Sequence, residues 1–247
     1  WERRGLDFIR TGLPDHDPYR AWANFEFQTE DGAIYEVDLL ILTKQGFWLV
    51  ECKAWSGRIS GDSGTWTCTQ DGRLRSEDNP ILLANRKAKA LSSILKAQPS
   101  VSKIRVPWLD ALVFLSADDV QCELTGSARN RVCVKDRPAE GDRPERKGIL
   151  AALMNRDCPG VDPDPRAIID IKVAKALSRA MEQAGIRPSQ RSRRVGDYIL
   201  GDLIADGPGY QDRLAKHASF NDVFCRVRQY TVAQATSEEN RRHLQRA

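Results

Sequence analysis

Four charged residues interrupt an otherwise apolar pair of runs: Glu36 and Asp38 in Tyr35 to Leu42, and Glu51 and Lys53 in Phe47 to Lys53. The runs are separated by Thr43-Lys44-Gln45-Gly46, which reads as a tight antiparallel hairpin. If Lys44 and Gln45 form the loop, Thr43 pairs with Gly46, and the same count sets Asp38 across from Glu51 and Glu36 across from Lys53. Side chains alternate along a strand, so all four then share one face. A loop one residue longer would shift the register and break the cluster. Two carboxylates directly across a hairpin repel each other unless a positive charge lies between them.

A hard divalent cation such as Mg²⁺ or Mn²⁺ meets that need, because it favours carboxylate, carbonyl and water oxygens. Asp38, Glu51 and the Cys52 carbonyl supply such a set. Lys53 follows Glu51 by two residues on the same face, where it can orient a water and offset developing negative charge. The chemistry expected is metal-assisted phosphodiester hydrolysis. An E-x-K triplet on a half-solvated strand is common, so Asp38 across the hairpin, not the triplet, carries the reading.

The remaining composition narrows the alternatives. At 247 residues with 41% hydrophobic residues, the chain has material for one large or two small domains. No run is as long and apolar as a membrane span, and Trp1-Glu2-Arg3-Arg4 begins in charged helical sequence without a signal peptide, as expected for a piece of a longer protein. Six cysteines without C-x-x-C spacing point to reduced thiols in the cytoplasm rather than disulfides or zinc. The three histidines, His16, His217 and His243, lack metal-ligand spacing. Ser56 and Ser60 lie near the charged cluster but have no visible His–Asp partnership. The net charge of +4 is compatible with nucleic acid but too small to demonstrate it. Arg187, Arg191, Arg193 and Arg194 form a dense basic run, and Lys87, Lys89, Lys96 and Lys103 read as a solvated or phosphate-contacting face.

Periodicity predicts the elements that must position the cluster. Residues 1–13 read as an amphipathic helix with Leu6, Ile9 and Leu13 on one side, Ala23 to Gln28 as a first strand, and the charged hairpin as two more. Short strands follow at Gly57 to Ser60 and Thr65 to Thr69. Asn79-Pro80 opens a helix to about Lys96, and Ala111 to Leu115 is a buried strand. Asn79, Asn85 and Lys87 on that helix are candidates for substrate contact, and Trp55 is the tryptophan best placed to stack on a base. For Trp1, Trp22, Trp48 and Trp108 core packing is the better expectation. A charged loop over 135–147, a helix over 146–155 and a longer one over 164–184 complete the pattern.

Glu36-Val37-Asp38, Gly46 to Lys53 and the later Gly57-Arg58-Ile59 resemble the PD-(D/E)xK nuclease superfamily, and within it the nuclease-related (NERD) domain, over roughly residues 1–116. That resemblance implies an α/β fold, a restriction-endonuclease-like αβββαβ core with extra helices, divalent metal and DNA cleavage. It carries Asp38, Glu51 and Lys53 onto the catalytic positions, and Glu2 onto the helical acidic position, where the glutamate also suits a helix N-terminus. The middle position, Cys52, contributes its backbone carbonyl. Glu2 or Glu36 assists as a second ligand or outer-shell acid, and Glu36, across from Lys53, is also placed to hold that lysine.

A second resemblance lies in Val195 to Asp212, which is similar to the first strand and glycine-rich loop of a protein kinase. Gly207, Gly209 and Tyr210 would face ATP phosphates in the full-length protein. Asp212 stands at the third glycine and no V-A-I-K follows; Arg226 to Tyr230 reads as the third strand, and Ser237 to Ala247 as the first kinase helix with Glu238 or Glu239 as its acid. No H-R-D or D-F-G is present. The expected domains are therefore a NERD nuclease-like domain at 1–134, a helical extension and basic linker at 135–194, and a kinase-like, β-rich lobe fragment at 195–247. A NERD domain leading into such a lobe resembles the N-terminal part of the serine/threonine kinase component of phage growth limitation (BREX) systems. The implied partners are DNA, specifically phage double-stranded DNA, and other defence proteins, with no membrane. Two other classes stay open: a nuclease fold that binds DNA or a partner without cutting, and a regulatory ATP-binding fragment of a kinase.

Overall fold

The computed structural model describes residues 2–154, 156–162, 168–188, 194–207, 210–220 and 222–230. It is a mixed α/β chain that divides into two compact units, Trp1–Phe25 with Val37–Ile186, and Glu26–Glu36 with Arg187–Ala247. The elements of the first are α1 (Glu2–Gly12), β1 (Arg20–Gln28), β2 (Ile34–Leu42), β3 (Phe47–Lys53), β4 (Arg58–Gly61), β5 (Thr65–Gln70), β6 (Arg73–Asp78), α2 (Pro80–Lys96), β7 (Leu109–Leu115), β8 (Gln121–Cys122), β9 (Val132–Val134), α3 (Ile149–Leu153) and α4 (Ile171–Gln183), the tip of the β1–β2 hairpin being counted with the second unit. No described helix is long and apolar enough to cross a membrane.

The main sheet runs β1-β2-β3-β7-β9, antiparallel between β2 and β3 and parallel from β3 to β7 and β9. Leu39, Ile41, Trp48, Val50, Cys52, Leu112 and Phe114 alternate onto one face, where they pack with Ile9 of α1 and Ile149 to Leu153 of α3. The opposite face of β3 and β7 is covered by α2. Covered on both faces, β3 and β7 are almost entirely buried, which explains their unbroken apolar sequence. Gly46 is required at the hairpin turn by a close approach: a Cβ there would lie 2.5 Å from the Trp48 indole.

Between β3 and α2 the chain builds three strands of a second sheet, ordered β6-β5-β4-β8 with β8 arriving after β7 to pair parallel to β4, around the fully buried Ile59 and Trp66. The sequence pattern predicts β4 and β5 but not β6. That strand is an edge and almost wholly exposed, so its Arg-Leu-Arg-Ser-Glu-Asp sequence carries no burial period. The helix predicted from residue 164 is observed from Ile171. Asp170 ends the preceding segment and caps the helix, its side chain accepting from the Val173 N–H at 2.8 Å. The helix predicted over 146–155 is shorter, Ile149–Leu153.

The second unit contains β10 (Arg187–Pro188), β11 (Arg194–Val195), β12 (Tyr198–Gly207), β13 (Tyr210–His217) and β14 (Phe224–Tyr230). The last four form an antiparallel meander. Within this unit the Ile34 N–H donates to Gln211 Oε1 at 3.3 Å, and Arg213 donates to the Ile34 carbonyl at 3.1 Å. Ser237 to Ala247, Glu238 and Glu239 among them, lies outside the described residues, as do Arg191 and Arg193.

Candidate active site

The hairpin register places the central pair. Leu42 pairs with Phe47, Ile41 with Trp48, Leu40 with Leu49 and Leu39 with Val50, the count expected from a Lys44–Gln45 loop. The Thr43 N–H donates to the Gly46 carbonyl at 2.9 Å, so hydrogen-bonded pairs fall on alternate rows from there and Val37–Cys52 would be the next after Leu39–Val50. Instead the Cys52 N–H donates to Asp38 Oδ2 at 2.7 Å, and the ladder ends. The strands part where Asp38 and Glu51 stand, on the face toward α2. The Cys52 side chain points the other way, into the α1–α3 core, so only its main chain belongs to the site.

Glu51 is 6% exposed and held from two directions. Lys53 Nζ lies 3.1 Å from Oε1, and Lys87 Nζ lies 2.7 Å from Oε2. Burial alone would raise the Glu51 pKa, but the two ammonium groups outweigh it and hold the carboxylate near 2. Lys53 is partly desolvated, which disfavours its charge, yet Glu51 and Asp38 more than compensate and its pKa is raised. Asp38 behaves oppositely to its neighbour. Burial first, and then repulsion from Glu51, push it up to about 7, against the pull of Lys87, the Cys52 N–H and Lys53. Two carboxyls in one notch are thus driven to opposite protonation preferences, a pattern associated with functional sites.

This donor set fits a hard divalent ion with few protein ligands. Among the described residues no group of three or more His, Cys, Asp or Glu side chains converges. The ion would rest on Asp38, Glu51 and the Cys52 carbonyl, with water and substrate oxygens completing the shell. The charge of such an ion would favour the ionised form of Asp38, which burial first and the Glu51 charge second disfavour.

Lys87 corrects the expectation of a solvated lysine face. Lys89, Lys96 and Lys103 are exposed, whereas Lys87 sits on the buried stripe of α2 with Ile81, Ala84, Ala88 and Leu91. The spacing 84, 87, 88, 91 contains the signal, since 87 falls on the apolar side of the helix. Asn79, expected to touch substrate, is instead a buried cap: its side chain accepts from the Ile81 N–H and donates to the Ser63 carbonyl, each at 3.0 Å. Asn85 is half-buried on the same helix. Trp55 is half-buried with its ring edge-on to Trp66, and Trp108, expected in the core, is 66% exposed with its indole N–H donating to Asp110 at 2.8 Å. Glu36 is half-buried on β2. Glu2 opens α1, but its side chain lies outside the described residues.

In the second unit, Gly207 and Tyr210 form the closing pair of the β12–β13 hairpin, and Gly209 lies outside the described residues. The Arg228 guanidinium stacks over the Tyr210 ring at 4.0 Å and donates to both carboxylate oxygens of Asp212, at 2.7 and 3.0 Å. Arg226 also pairs with Asp212, which is fully buried. The hydrogen bond from Arg228 and the Arg226 charge hold Asp212 down at about 2.

A family model described as "Nuclease-related domain" matches residues 1–116. The "Probable kinase PglW" of Streptomyces coelicolor is 33% identical over 248 residues, an alignment that takes in 100% of this chain. The chain spans 15% of that relative's length. No solved structure matches.

Proposed function

Over residues 1–116 the chain belongs to the nuclease-related domain family, whose fold is of the PD-(D/E)xK nuclease type, and from that premise we propose that this unit is a metal-dependent DNA endonuclease. The observation that carries the proposal is the parted hairpin, where Asp38 and Glu51 share one notch and Lys53 reaches the Glu51 carboxylate from within the same strand. Mg²⁺ or Mn²⁺ bound there supplies a Lewis acid and an acidified water for attack on phosphorus. Glu51, kept ionised by its lysines, is the firmer carboxylate ligand. Asp38 joins it as a charged ligand, anchored through the Cys52 N–H. Lys53 is near enough to orient the attacking water and to offset charge on the phosphate oxygens. Glu2 and Glu36 are assigned supporting roles as outer acids.

By its similarity to a relative named a probable kinase, the chain is further proposed to be the nuclease-containing part of a bacterial phage-defence protein that carries a serine/threonine kinase, with phage DNA and other defence proteins as partners. The Gly207–Tyr210 hairpin followed by β14 supports a nucleotide site completed in a longer protein. ATP-dependent protection of residues 195–230 from hydrogen exchange in that longer protein tests it, and unchanged exchange there refutes it.

The nuclease reading is tested with supercoiled plasmid in Mg²⁺ and in Mn²⁺, comparing the unaltered chain with Glu51→Ala and Lys53→Ala. Nicking or linearisation by the unaltered chain alone is expected. Intact plasmid in both metals, or equal cutting by the variants, overturns the proposal; DNA binding without cutting would make the domain a non-cleaving nuclease fold.

A further inference from the structure

We propose that Lys87 is a built-in competitor for the divalent ion, an internal cation that occupies Glu51 and keeps metal affinity low until nucleic acid is present. The inference rests on the nuclease reading above.

Three observations carry it. First, Lys87 is not a passing surface contact. Its side chain is 7% exposed against 27% for Lys53, and its bond to Glu51 is shorter, 2.7 Å against 3.1 Å. Secondly, its position is fixed by the helix and not by its own flexibility. The Asn79 cap ties the start of α2 to the Ser63 carbonyl, and Ile81, Ala84, Ala88, Leu91 and Leu95 seat the same face in the core. A buried ammonium in an aliphatic stripe costs free energy unless it is paired, so Glu51 is the reason it can stay. Thirdly, both carboxylate oxygens of Glu51 are already taken by ammonium groups, Oε1 by Lys53 and Oε2 by Lys87, so the notch has no excess negative charge to offer an ion.

A divalent ion entering the notch meets the two ammonium groups on Glu51 and brings uncompensated positive charge. Phosphate groups of a bound DNA strand restore the balance, so the ion and the strand stabilise each other's binding. Lys53, nearer the rim, can turn from Glu51 toward the phosphate. Lys87 has no such freedom and is a positioning residue acting through Glu51.

The test is Mn²⁺ affinity of the DNA-free chain, read from the free-ion EPR signal, for the unaltered protein, Lys87→Met, Lys87→Gln and each of these combined with Glu51→Gln. A monovalent charge a few ångströms from a divalent one repels it by more than the ~1.4 kcal/mol that a tenfold change requires, even at an effective dielectric of about 20. Both lysine variants are therefore expected to bind Mn²⁺ at least about tenfold more tightly, and adding Glu51→Gln is expected to cancel the gain. A purely structural lysine would not tighten metal binding when removed. Lys53 remains on Glu51, so both single variants are expected to fold; loss of folded structure in both, or unchanged or weaker Mn²⁺ affinity, overturns the inference. If the unaltered protein cuts plasmid while neither variant gains affinity, this inference fails alone. If no protein binds Mn²⁺ and none cuts, the nuclease reading fails and this inference with it.

Discussion

Asp38→Asn is expected to stabilise the metal-free protein above neutral pH, because the native fold penalises an ionised Asp38. Burial and the Glu51 charge push its carboxyl from 3.8 to about 7. A carboxyl whose folded pKa exceeds its unfolded value favours the native state only while protonated. Stability is therefore lost progressively as pH rises from about 4, and the loss is complete above about 7. At about 1.4 kcal/mol per unit, the whole shift is worth about 4 kcal/mol. Asp38 is only half-buried, so water screens part of that, and about 2 kcal/mol is the expected gain at pH 8.5. The amide has the same shape, and its oxygen can still accept from the Cys52 N–H, so no compensating loss is expected there. For a protein of this size that gain raises Tm by about 4–8 °C. Thermal melts in EDTA at about pH 4.5 and about pH 8.5 measure it, with a small difference expected at the first and the full one at the second. Glu51 cannot produce this profile. Its lowered pKa gives stability that is present above 4.5 and lost as pH falls toward 2. Equal differences at both pH values, or destabilisation at the higher one, would refute the reasoning that burial and Glu51 strain the ionised Asp38.

Other expectations concern the frame around the site. Trp66→Ala empties the centre of the β4–β5–β6 sheet, where Trp66 is fully buried, and should cost about 3–5 kcal/mol in urea unfolding; a loss below about 1 kcal/mol would show that the sheet collapses around the gap. Asp136 accepts from the Gly148, Leu150 and Ala151 N–H groups at 2.8, 2.7 and 3.1 Å, and Asp136→Ala should cost about 1–2 kcal/mol by the same measurement. Gly148→Ala should cost more, since its Cβ would lie 2.1 Å from the Val134 carbonyl, a backbone atom that cannot step aside. In the second unit, Asp212→Asn removes the charge paired with Arg226 and Arg228 and should speed hydrogen exchange in β13 and β14. Its folded pKa is lowered, so the stability it contributes is lost on acidification, and the difference from the unaltered chain should narrow as pH falls toward 2.

Much of this molecule is determined by local sequence. The Thr43 to Gly46 turn sets the register that sends Asp38 and Glu51 to one face, because turn length and the two-residue period of a strand act over neighbouring residues. Asn79-Pro80 likewise starts α2 at Pro80, and the apolar run at 111–115 forms the core of a buried strand. The nuclease-related character of residues 1–116 was legible from the same short segments. Tertiary structure decided what those segments do to one another. Lys87 and Glu51 stand 36 positions apart, and nothing in either neighbourhood says that one neutralises the other. Trp108 and Asn79 exchange the expected exposed and buried roles because the neighbouring chain, not the residue type, supplies or withholds cover. The opposite protonation of Asp38 and Glu51 has the same origin: the register makes them neighbours, but burial and the placement of two lysines determine which one keeps its proton.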